Sequence, residues 1–72
     1  MDSAKKGVLF LGGPLHGTRH AWDSPPDYYP HVIATGMVPY ARRTEISITG
    51  VEVVYAPVGM TLAAVRECIS RL

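Results

Sequence analysis

Four prolines fall within DSPPDYYPHVIATGMVP, residues 23 to 39 of a 72-residue chain. Pro25, Pro26, Pro30 and Pro39 each fix φ and withhold an N–H donor. That forbids a long helix in the middle of the chain and weakens any central strand there. The stretch reads as a Pro-rich loop over residues 23–39. A structureless loop of that length is uncommon in a compact small domain, so His31 to Ala34 is expected as a short edge strand within it. Ser24 followed by Pro25 suits the opening of a single helical turn.

Regular structure is therefore sought on either side. Residues 1–5 read as a frayed end. Val8, Leu9, Phe10 and Leu11 form a short continuous apolar run that ends on Gly12 and Gly13, the pattern of a strand covered on both faces. Pro14 to Gly17 is turn material. Thr18 to Trp22 is expected as a returning strand, with Thr18, His20 and Trp22 on one face.

The segment YARRTEISITGVEVVYAP is read as a hairpin closed by Thr49 and Gly50. That register sets Ile48 against Val51, Ile46 against Val53 and Thr44 against Tyr55 on an apolar face. Arg43, Glu45, Ser47, Glu52, Val54 and Ala56 take the other face. A one-residue slip would exchange core for solvent, so the pattern selects the register. A hairpin alone is marginal and needs cover. The cover is the tail, where Thr61 is the expected N-cap and Leu62, Val65, Ile69 and Leu72 recur at helical spacing. Such a helix runs about 18 Å, enough to cross a small sheet. The expected fold is a single α+β domain over residues 1–72, an antiparallel sheet of three to five strands with one C-terminal helix on one face.

A chain this short has a core worth only about 3 to 5 kcal/mol without help from disulfides, metals or self-association. Cys68 is the only cysteine, so no internal disulfide forms and a homodimer is the expected helper. One free thiol and no secretion signal fit a reducing cytosol. The apolar run at residues 8–11 is too short to span a membrane. A net charge of +1 provides no general field for nucleic acid or anionic membrane.

The chemistry-bearing residues form no strong motif. Gly12 to Thr18 has the outline of a phosphate-binding loop but lacks its lysine, and Pro14 removes a backbone donor. His16, His20, His31, Asp23 and Cys68 are permissible zinc ligands. On a strand, however, His16 and His20 would stand about 13 Å apart, too far to share an ion. Cys68 lies beside the apolar helix stripe, the place of a small core residue. No catalytic residue, cofactor or metal ligand is expected. Tyr28, Tyr29, Trp22 and His31, aromatic groups in and beside a proline-stiffened stretch, are the candidate contacts for a protein partner. The alternative is nucleic-acid binding by Arg19, Arg42 and Arg43, helped by Lys5 and Lys6, with Trp22, Tyr28, Tyr29 and Tyr40 as stacking platforms. Arg42 and Arg43 point to opposite faces of a strand, which halves that patch. A minor virion component is a third reading.

Gly12-Gly13-Pro14-Leu15-His16-Gly17 directly after an apolar strand, with Tyr40-Ala41-Arg42 later, resembles a group of short proteins of actinobacterial bacteriophages. Those carry a GGPxDG turn near the N-terminus, where this chain has His16 in place of Asp. The resemblance covers the N-terminal third and loosely the hairpin. It implies a small phage accessory protein of unknown activity, made in the cytoplasm of an infected bacterial host; separately, the expected partner is a protein, with a host protein as one candidate. It brings no catalytic residues.

Overall fold

The computed structural model describes residues 5–72; the expected frayed end lies, but for Lys5, outside the described residues. Five strands follow in order: β1 (Lys6–Phe10), β2 (Arg19–Trp22), β3 (Tyr28–Ile33), β4 (Gly36–Arg42) and β5 (Val53–Pro57). One helix, α1 (Leu62–Ser70), closes the chain. The strands form one sheet in the order β2-β1-β5-β4-β3. The α+β class and the C-terminal helix are as expected. The sheet is mixed rather than wholly antiparallel, because β1 and β5 pair in parallel with Val8 opposite Val53. These two strands are the continuous apolar runs of the chain. Buried on both faces, they take the centre of the sheet.

The Pro-rich stretch is not a loop. It holds β3 and most of β4, paired as a hairpin from Tyr28 opposite Ala41 to Ile33 opposite Gly36. Its prolines fit because of register. The Arg42 N–H donates to Asp27 O at 2.9 Å, which makes 27–42 a bonded pair. Pairs alternate, so Pro30 opposite Pro39 is a non-bonded pair, and neither missing donor belongs to this ladder. Pro30 faces the open edge. Pro39 stands beyond the last β4–β5 pair, and its carbonyl still accepts from Val58 N–H at 2.9 Å. No helical turn forms at Ser24; the chain bends at residues 23, 24 and 27.

The Thr49–Gly50 turn closes the expected Ile48–Val51 bridge, but the strands do not continue from it. Instead, Arg42 lies opposite Tyr55, two residues from the expected partner Thr44. Two interactions divert the chain. Arg43 clasps Glu45 through Nε and Nη2, at 2.9 and 2.7 Å, and turns the backbone at 44–45. Glu52 joins β1: its N–H donates to Gly7 O (3.0 Å), and its carboxylate accepts from Gly7 N–H (3.1 Å).

Two cores result. On one face Leu9, Leu11, Val54 and Ala56 meet Val65 of α1, with Ile46, Ile48, Val51, Met60, Cys68 and Ile69 around them. Val54 and Ala56, expected on a polar face, are thus buried beneath the helix. Thr61 caps α1 as expected, accepting from Ala64 N–H at 3.1 Å. The buried stripe is narrower than expected, with Leu62 and Leu72 exposed. On the other face Val8, Phe10, Tyr40, Val53 and Tyr55 are buried with no helix above them. The sheet supplies its own cover by curling. The edge strands β2 and β3 would be about 19 Å apart in a flat sheet. Yet the rings of Trp22 and Tyr29 stand 5.4 Å apart, centre to centre, over Phe10. The Tyr55 hydroxyl donates to Pro26 O and holds the 23–27 connection across the opening. Among the described residues, no helix is long and apolar enough to cross a membrane.

Candidate functional site

The glycine turn after β1 is built around one phenol. Gly13–Leu15 form a single 3-10 turn. Tyr40, reaching over from β4, donates through Oη to Gly12 O at 2.8 Å and accepts from Leu15 N–H at 3.0 Å. His16 Nδ1 accepts from Gly12 N–H at 2.8 Å. This bond leaves the Nε2 nitrogen carrying the proton of the neutral ring. The phosphate-cradle outline thus becomes a turn whose backbone donors at Gly12 and Leu15 are taken by protein.

Beside it lies an open pocket of about 270 Å³ lined by Gly12, Gly13, His16, Met60, Cys68 and Arg71. The Cys68 thiol is half-buried there, between the pocket and the helix-side core. With His16 Nδ1 bonded to Gly12, that nitrogen can neither take a proton from the thiol nor ligate a metal without losing the turn's bond. His20 is elsewhere, stacked on Trp22 at 5.4 Å and edge-on to Phe10 at 5.6 Å. His31 stacks on Tyr29 at 6.4 Å. Among the described residues, no three His, Cys, Asp or Glu side chains gather as a metal site.

The four aromatic candidates are divided between two faces. Trp22, Tyr29 and His31 lie inside the curl, half-buried; Trp22 and Tyr29 roof Phe10, and His31 stacks on Tyr29. Tyr28 points to the outer, helix-side face and is 49% exposed. The arginines are divided as well. Arg42 is on the curled face, 3.9 Å from Asp27. Arg43 is committed to Glu45 and, through Nη1, to Met60 O at 2.8 Å. Arg19, opposite Leu9 on β2, is separated from Arg43 by β1 and β5.

What the outer face offers is apolar. α1 packs with β1 and β5, and no residue of β3 or β4 joins that core. Three cross-strand pairs line the outer face of this hairpin: Tyr28 with Ala41, Pro30 with Pro39, and Val32 with Met37, of which Pro39 and Ala41 are half-buried. None of the six is charged. Val32 is 75% exposed and Met37 51%. Isolated exposed apolar residues are ordinary, but three uncharged rungs in a row form a patch of the kind that marks an interaction site. Val32 and Met37 were absent from the sequence candidates. The signal for them was the alternation Tyr28-x-Pro30-x-Val32 and Met37-x-Pro39-x-Ala41, obscured by the prolines.

Burial raises the phenol pKa of both Tyr40 and Tyr55 above the ordinary 10.0, against smaller lowering by the Leu15 N–H and Arg42 respectively. A group whose folded value is raised contributes stability that is present below its unfolded value and lost as pH rises through the folded one. Urea midpoints are therefore expected to hold up to about pH 10 and to fall above it. The fall is expected to be shallower in Tyr40→Phe, as read by circular dichroism across pH 7 to 12.

Comparison with family models, with curated proteins and with solved structures returns no match to this chain.

Proposed function

We propose that the chain is a non-enzymatic protein-interaction module that docks its partner on the outer face of β3 and β4. The observation behind this reading is the uncharged three-rung ladder, with Tyr28, Val32 and Met37 exposed. Trp22 and Tyr29 support it from the other side, since their packing over Phe10, with His31 stacked on Tyr29, holds the hairpin in place. The nucleic-acid alternative is disfavoured by the arginines, of which Arg42 and Arg43 have carboxylate partners and Arg19 stands apart. Following the resemblance of residues 12–17, the partner is met in the cytoplasm of an infected bacterium, where a host protein is the first candidate.

The test is capture from an actinobacterial lysate by the tagged chain, with and without nuclease. A captured protein is expected to survive nuclease and to fall at least tenfold with Val32→Lys/Met37→Lys. Fully burying either side chain is worth about 1.5–3 kcal/mol, and about 1.4 kcal/mol is a factor of ten. Both positions are on the surface, so the thermal midpoint should barely move. Capture untouched by the double variant would overturn the docking face. Recovery of nucleic acid, with salt-sensitive binding and proteins lost on nuclease treatment, would replace it with the basic-residue alternative.

A further inference from the structure

We infer that the pocket beside the glycine turn binds a soft monovalent metal ion, Cu(I), between the sulfurs of Cys68 and Met60. The site is separate from the docking face, since no residue of β3 or β4 lines this pocket. The two sulfurs come from different parts of the chain and converge on one spot. A Cβ placed on Gly12 would stand 3.4 Å from Cys68 Sγ and 3.4 Å from Met60 Sδ. Gly12 has φ +78 and no side chain, so both sulfurs close on bare backbone. Their supports are fixed. The Met60 N–H donates to Pro57 O at 3.1 Å, and the Met60 carbonyl accepts from Arg43 Nη1 at 2.8 Å. Cys68 rides on α1, which Thr61 caps and Val65 anchors to the sheet.

The donor chemistry selects the ion. Thiolate and thioether are soft ligands, the kind that prefer Cu(I). A monovalent ion of this type is satisfied by two such donors. Two metal–sulfur bonds of about 2.3 Å span about 4.6 Å, and Met60, unbranched with three rotatable bonds, can swing its sulfur to close that span. Binding breaks the Cys68 S–H bond, forms a sulfur–copper bond and releases the proton to water. Copper stays in the Cu(I) state throughout. One negative sulfur and one positive ion make a neutral pair. Such a pair fits between the helix-side core and the Arg71 guanidinium that lines the same pocket. A divalent ion on the same two sulfurs would leave a net positive charge beside Arg71 and against apolar groups, which is costly.

Other occupants fit less well. Zinc takes four ligands, or three and a water, and among the described residues no three His, Cys, Asp or Glu side chains gather here. His16 Nδ1 is kept by the Gly12 N–H at 2.8 Å. An anion would find one cation in the pocket, Arg71, whose guanidinium already reaches the Glu67 carboxylate at 3.5 Å.

The experiment titrates the full chain with Cu(I), under anaerobic conditions with ascorbate, in competition with a chromophoric Cu(I) chelator. One ion per chain is expected. Met60→Leu keeps the side-chain volume and should weaken binding about 10–100-fold, the scale seen even for outer-shell partners of a metal. Cys68→Ser should abolish the one-to-one complex. Met37→Leu removes an exposed thioether on β4 and should change nothing. On the unaltered chain the Met60 methyl resonance should shift on binding while that of Met37 stays, a readout that no folding defect in a variant can imitate. Zn(II) in excess should not displace the ion. Absence of a one-to-one complex overturns the inference. So does undiminished affinity in Met60→Leu with an unmoved Met60 methyl, which would leave the thiol acting alone. One ion shared by two chains, or displacement by Zn(II), overturns it as well.

Discussion

Phe10→Ala is expected to leave most of the chain unfolded at 25 °C. Phe10 is fully buried, and five rings pack on it: His20, Trp22, Tyr29, Tyr40 and Tyr55, with centres 5.0 to 5.9 Å away. Truncating a buried Phe costs about 3–5 kcal/mol, as lost transfer energy and as a cavity. A core this small supplies about the same amount. The ring also has a topological task. β2 and β3 share no hydrogen bonds, and their approach depends on Trp22 and Tyr29 meeting over Phe10. Without it the curl has nothing to close on, and the aromatic face is wetted. Near-ultraviolet circular dichroism should collapse, and the urea midpoint should fall to near zero denaturant. A Phe10→Ala variant that kept a cooperative transition at most of the parent midpoint would show that the curl is held by the backbone instead.

The sequence pointed to parts of this arrangement and hid others for identifiable reasons. The β1 strand, the returning β2 with His20 and Trp22 on one face, the Thr61 cap and the helix were legible from local signals: a continuous apolar run, alternation, a cap residue and a 3.6-residue period. The run Val53-Val54-Tyr55-Ala56 carried the same signal as Val8 to Leu11. It was misread because pairing it with residues 43–48 gave a tidy two-faced hairpin. Long-range competition decided otherwise: β1 claimed one edge of β5, and Arg43 folded Glu45 away from the other. The β3–β4 hairpin was hidden by Pro30 and Pro39, each of which alone argues against a strand. Only their facing each other at a non-bonded pair makes them compatible, and that is a property of register. The docking face was hidden with it. Tyr28 could be named for its aromaticity, but Val32 and Met37 become neighbours only once the hairpin exists. The Tyr40 link to the glycine turn spans 25 to 28 residues and left no local trace.

That link gives the second large effect. Gly13→Ala is expected to destabilise the fold by about 3 kcal/mol or more, and most of that loss is expected to depend on Tyr40. Gly13 has φ +67, where an L side chain costs about 1–2 kcal/mol. Its Cβ would also lie 2.6 Å from Tyr40 Oη, closer than any contact tolerates. The phenol must move, and Gly12 O and Leu15 N–H lose their partner. A buried group left unsatisfied costs about 1–3 kcal/mol. Tyr40→Phe alone removes the same two bonds and should cost about that much. In the double variant the clash is gone. The nearest remaining neighbours of the new Cβ are the ring carbon at 3.5 Å and Pro57 Cγ at 3.6 Å, ordinary contacts. The two substitutions should therefore fall short of additivity by at least about 1 kcal/mol, the sign of a shared interaction. Urea denaturation of the four proteins measures the coupling directly. Additive losses would mean that the strained backbone, rather than the phenol, makes glycine necessary at residue 13.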